Sequence, residues 1–84
     1  MKALFMEVLR SLDTSKCNNL LDYFFMLQRT FSNHELATEI LQVSYSTYYQ
    51  FYQNAKRGKL KNGKLYKRLV KLETFTKTGV WDHD

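Results

Sequence analysis

The sequence predicts an all-α fold in a single small domain, and three observations carry that expectation. Apolar residues recur at spacings of three and four in separate stretches, while no stretch alternates with a period of two over a useful length. Two serines, Ser32 and Ser44, stand where helix-starting caps belong, each with an apolar residue before it and another at the fourth helical position. Proline is absent and glycine occurs only 3 times, so little interrupts the helices from within. With 84 residues, 44% of them apolar and 15% aromatic, the chain is too rich in core formers for disorder, yet near the lower size limit for one core.

Residues 2–12 (KALFMEVLRSL) place Leu4, Val8 and Leu12 at helical spacing with Phe5 and Leu9 alongside, which predicts a short apolar-faced helix. DTSKCNN then favours turns and caps. A second helix over about 18–31 carries Leu20, Phe24, Leu27 and Phe31 on one face, widened by Leu21 and Phe25. That width implies burial on more than one side. Ser32 and Glu35 form a capping box, with Phe31 and Leu36 as its hydrophobic staple, and predict a helix over 33–41. Ser44, with Val43 and Tyr48, repeats this grammar and starts a helix over 45–55. Tyrosine and threonine favour strands, but the caps and the helical spacing of Tyr48, Phe51 and Ala55 outrank propensity. Only Gln42 to Ser44 remain for the connection, short enough to force a steep crossing. Lys56 to Gly63 reads as an exposed loop. The last helix, about 63–78, turns Leu65, Leu69, Leu72 and Phe75 inward, and Gly79 is placed to end it as a left-handed cap with Val80 and Trp81 folding back.

The net charge of +5 is unevenly placed. Residues 56–71, KRGKLKNGKLYKRLVK, hold eight basic and no acidic groups, a local +8 that attracts polyanions. The ordinary alternative is a solvated helix face. Lys56, Arg57, Lys59 and Lys61 fall in the loop, whereas Lys64, Lys67, Arg68 and Lys71 form a stripe opposite the leucines of the last helix.

Residues 34–53, HELATEILQVSYSTYYQFYQ, resemble the helix-turn-helix element of bacterial and phage DNA-binding proteins. The resemblance implies small or apolar residues at places held here by Ala37, Thr38, Leu41, Val43, Tyr48 and Phe51, all compatible. The ninth place, usually glycine because the chain there takes a positive φ, is Gln42. If Tyr48 and Phe51 point inward, then Tyr45, Ser46, Tyr49, Gln50 and Gln53 form the outer face from which a recognition helix contacts bases. Gln pairs bidentately with adenine, Ser bonds base or phosphate, and Tyr offers a hydroxyl and a ring. The competing reading makes Tyr45, Tyr49 and Tyr52 a buried stripe, since they too are spaced i, i+4, i+7. The eight cations at 56–71 would supply phosphate contacts.

Enzyme chemistry finds no support in the residues. No glycine-rich phosphate loop follows a strand, His34 beside Glu35 at a helix start reads as a surface residue, His83 falls in the acidic tail, and the lone Cys17 excludes an internal disulfide and has no histidine at a motif spacing. No metal site or cofactor is expected. No apolar run is long enough for a bilayer and no signal-peptide pattern opens the chain, so a cytoplasmic protein is expected.

The expectation is therefore a helical domain over 1–84 with a central helix-turn-helix. Helices over 18–31, 33–41 and 45–55 form a tri-helical, homeodomain-like core, with a lambda-repressor-like arrangement as the alternative. The helices over 2–12 and 63–78 flank it, and the acidic tail at 82–84 is flexible. Its expected function is sequence-specific binding of double-stranded DNA by a transcriptional regulator, such as a repressor, of a phage, plasmid or mobile element. The alternative is a small adaptor or antirepressor acting on a second protein, with RNA binding as a further possibility. One recognition helix reads few base pairs, so a homodimer is expected, its two helices about 34 Å apart on DNA. Leu4, Phe5, Val8 and Leu9 are the expected dimer or partner surface, because apolar residues occupy more than one face of their helix.

Overall fold

Four side chains, Asn19, Ser32, Ser44 and Asn62, set where helices begin. The computed structural model describes residues 1–81, and the acidic tail with His83 lies outside the described residues. Helix α1 spans Ala3–Ser11, α2 Leu20–Thr30, α3 Asn33–Glu35, α4 Tyr45–Lys56 and α5 Gly63–Thr78. A π-helical segment, Leu36–Ile40, continues directly from α3. No strand occurs among the described residues.

The capping box forms as the sequence predicts. Ser32 Oγ accepts from the Glu35 N–H at 3.1 Å, and Glu35 Oε1 accepts from the Ser32 N–H at 3.3 Å. Ser44 Oγ accepts from the Thr47 N–H at 3.3 Å, and Asn62 Oδ1 accepts from both Lys64 and Leu65 at the start of α5. Each cap satisfies helix-start donors that otherwise lack partners. At the other end of α5, Gly79 takes φ 74° and its N–H reaches the Phe75 carbonyl at 2.7 Å.

A continuous α-helix over 33–41 does not form. The Leu41 N–H reaches back five residues to the Leu36 carbonyl at 2.8 Å, and the Thr38 hydroxyl donates to the His34 carbonyl at 2.7 Å. A bond that spans five residues instead of four makes this turn wider than an α-helical one.

Helix α5 is central rather than flanking, because it packs against both α1 and α2. Its Leu65, Leu69, Leu72 and Phe75 make one fully buried stripe, and each buried leucine contributes about 1.5–3 kcal/mol. Tyr23 on α2, also buried, donates its hydroxyl to Thr76 Oγ1 at 2.7 Å, and Thr76 donates to the Leu72 carbonyl at 3.0 Å. This bond joins α2 to α5 inside the core and leaves neither hydroxyl without a partner.

The expected partner surface on α1 needs correction. Phe5 is 8% exposed and Leu9 0%. Phe5 meets Phe31 edge-to-face at 5.9 Å between ring centroids, and α1 lies on α5, so these two residues belong to the core of the same chain. Val8 is half-buried, and only Leu4 remains outside, at 66% exposure.

Candidate functional site

The tyrosine-rich helix α4 divides cleanly by burial. Tyr48, Phe51 and Ala55 are each 1% exposed and face the core, where Phe24 meets Phe51 edge-to-face at 5.2 Å. The Tyr48 hydroxyl donates to Asn33 Oδ1 at 2.8 Å, which ties the first half of α4 to the start of α3. Burial raises the Tyr48 phenol to about 12.

Opposite this face, Tyr45 and Tyr49 are 48% and 46% exposed, Ser46 and Gln50 are exposed, and Gln53 is half-buried. The buried tyrosine stripe of the competing reading does not form. Instead the rings run along one flank of α4: Tyr45 to Tyr48 at 5.8 Å, Tyr48 stacked on Tyr52 at 6.4 Å, and Tyr49 to Tyr52 at 6.2 Å. Lys56 closes the row with its ammonium 4.9 Å from the Tyr52 ring centre. On the other flank Ser46, Thr47, Gln50 and Asn54 line a shallow groove of about 300 Å³ that Asn62 completes.

The turn that aims α4 has one unusual residue. Gln42 takes φ 58°, the sole positive φ outside glycine among the described residues. Its neighbour Val43 donates its N–H to the Ala37 carbonyl at 2.9 Å, closing the end of the π-helical segment. From α5, Arg68 Nε donates to the Ile40 carbonyl at 3.0 Å, so the basic helix holds the same end from outside.

The cations separate into two groups. Lys56, Arg57, Lys59, Lys61, Lys64 and Lys67 are all exposed, and among the described residues none of them forms an ion pair. Arg68 and Lys71 are half-buried and lie over the Trp81 ring at 5.1 and 5.0 Å. Expected as phosphate contacts, these two also serve the fold, because Trp81 folds back past Gly79 against Phe75 and gives them an aromatic seat. A groove of about 410 Å³ runs between this basic face and Leu41, Gln42 and Val43.

The sequence reading missed Asn33 as the partner of Tyr48 and Trp81 as the seat for two cations. A tryptophan placed just after a C-terminal glycine, within reach of cations on the preceding helix, was the available signal for the second. Cys17 is half-buried beside Met26 Sδ at 3.9 Å, and burial raises its thiol pKa, as suits a packing residue. Among the described residues no three His, Cys, Asp or Glu side chains gather to hold a metal ion, and no helix is long and apolar enough to cross a membrane.

Comparison of the chain with protein-family models, with curated proteins and with solved structures finds no match. The functional reading therefore rests on the geometry.

Proposed function

We propose that the chain binds double-stranded DNA in a sequence-dependent way, as a small transcriptional regulator of phage, plasmid or mobile-element type. In this reading α3 with its π-helical segment, the Gln42 turn and α4 act as a helix-turn-helix. Helix α4 enters the major groove, while the loop after it and the exposed lysines of α5 meet the phosphates.

The observation that carries the reading is the backbone of Gln42, at φ 58°. A left-handed conformation costs a non-glycine residue about 1–2 kcal/mol. The chain adopts it at the one place in the 34–53 pattern where glycine is usual. Such strain persists only where the surroundings fix it, as the Val43 and Arg68 hydrogen bonds to the end of the π-helical segment do here. The resulting turn leaves Tyr45, Ser46, Tyr49 and Gln50 facing outward, next in the chain to six exposed cations.

Each phosphate neutralised by one of those cations releases counterions, so affinity gains a sequence-independent part that weakens with salt. The uncharged polar face of α4 then supplies discrimination between base pairs. A homodimer would extend the site to two half-sites about 34 Å apart. Mobility shifts on mixed-sequence duplex DNA over a range of salt concentrations test the proposal. Binding at low salt that falls steeply as salt rises is expected. Absence of binding at low salt would contradict it, and would favour the exposed Tyr45 and Tyr49 rings as a protein-contact surface.

A further inference from the structure

We infer that the base pairs read by α4 are A·T, a specificity that rests on the DNA-binding reading above and goes beyond it. The chemistry of base recognition is selective. Guanine is read chiefly by Arg or Lys, cytosine N4 by a carboxylate, and adenine by the amides of Gln and Asn. Helix α4, YSTYYQFYQNAK, has no charged residue before Lys56 in its last turn. The end that a recognition helix presents to bases is its N-terminal half, so neither a guanine reader nor a cytosine reader stands there.

What does stand there is a hydroxyl and an amide. Ser46 and Gln50 follow one another at i and i+4 along one groove, which Asn54 continues into the last turn of the helix. The fold uses other amides for its own architecture: Asn19 and Asn62 cap helices and Asn33 holds Tyr48. Among the described residues no hydrogen bond occupies the side-chain amides of Gln50 or Asn54, so donor and acceptor are both available for the paired bond that adenine N6 and N7 require. Tyr45 and Tyr49, about half exposed on the adjoining flank, offer aromatic surface suited to the thymine methyl group that only an A·T pair carries in the major groove.

Selection of the full chain on a pool of duplexes with a randomised core tests the specificity, with Gln50→Arg selected in parallel. Enrichment of A·T pairs in the core is expected, with the enriched duplex bound about tenfold or more tightly than mixed-sequence duplex. Gln50→Arg should replace an A·T preference by G·C at one position per half-site and leave the others unchanged. A merely structural Gln50 would not produce that exchange. Enrichment of a G·C core by the natural chain would overturn the A·T assignment and leave DNA binding standing. No retention of any duplex at low salt would overturn both.

Discussion

Arg68 Nε lies 3.0 Å from the Ile40 carbonyl, a hydrogen bond from the basic helix to the end of the segment that precedes the Gln42 turn. A cation drawn from a stretch that looks wholly like a polyanion surface thus holds the end of that segment within the fold. Two kinds of cation are expected to behave differently when removed.

Arg68→Gln should lower stability by about 1.5–3 kcal/mol, the scale of a hydrogen bond from a charged donor. Replacing Lys64 and Lys67 together with Gln should leave stability within about 0.5 kcal/mol, because both side chains are exposed. The double change should flatten the log–log dependence of DNA affinity on salt by up to about two units. Urea unfolding paired with salt titration measures both. An unchanged slope in the double variant would make that face merely solvated.

Gln42 stores strain that glycine would relieve. Gln42→Gly should raise stability by up to about 1 kcal/mol, since the left-handed penalty exceeds the added chain entropy of glycine. Gln42→Val should lower it, because a β-branched residue fits positive φ poorly. Thermal unfolding of the pair checks this. Loss of stability in the glycine variant would mean that the Gln42 side chain itself holds the turn.

Burial at α1 replaces the partner surface with a packing prediction. Leu9→Ala should cost about 2–5 kcal/mol, as for a fully buried leucine, whereas Leu4→Ala should change stability by less than about 0.5 kcal/mol. Comparable effects at both positions would contradict the burial pattern. If the chain dimerises through α1, Leu4 is the residue of the four whose replacement should weaken the dimer without unfolding the protomer, and sedimentation equilibrium reads that directly.

Tyr23 and Tyr48 are buried, and the loss of solvent raises both phenols, that of Tyr48 to about 12. Below pH about 10 both are neutral in the folded and unfolded chain, so their contribution to stability is complete and constant there. Between about 10 and 12 the unfolded chain loses these protons while the folded chain keeps them, so stability falls as pH rises through that window. Phenolate absorbance and helical circular dichroism, titrated together, should show late ionisation that coincides with unfolding. Tyr48→Phe should remove one late step, and early ionisation of both residues in a still-helical chain would be inconsistent with their burial.

Much of this architecture could be read from local sequence, and what could not has a physical reason. A capping box needs residues only three apart, so Ser32 with Glu35 announced a helix start without tertiary knowledge. The inward faces of α4 and α5 followed from spacing for the same reason. The π-helical widening after Glu35 is a shift of hydrogen-bond register, with Leu41 reaching back five residues, which apolar periodicity does not record. Phe5 and Leu9 looked available to a partner because a helix pattern shows that a face is apolar, not which surface covers it. That surface, α5, lies far along the chain. Tyr23 and Thr76, 53 residues apart, meet only in the folded core. The outer face of α4 expected from spacing is exposed at Tyr45, Ser46, Tyr49 and Gln50 and half-buried at Gln53, while Arg68 and Lys71 gained a role in the fold that a count of charges hides.

Base reading by α4 is tested most directly by the affinity of Gln50→Ala for two probes: the duplex enriched from the random pool and a mixed-sequence duplex. Gln50 is exposed and uncommitted within the fold, so stability should be unchanged. A loss of about 1–3 kcal/mol on the enriched duplex, with little change on mixed sequence, is the expected result. Equal loss on both probes, or no loss on either, would contradict α4 as the element that reads DNA.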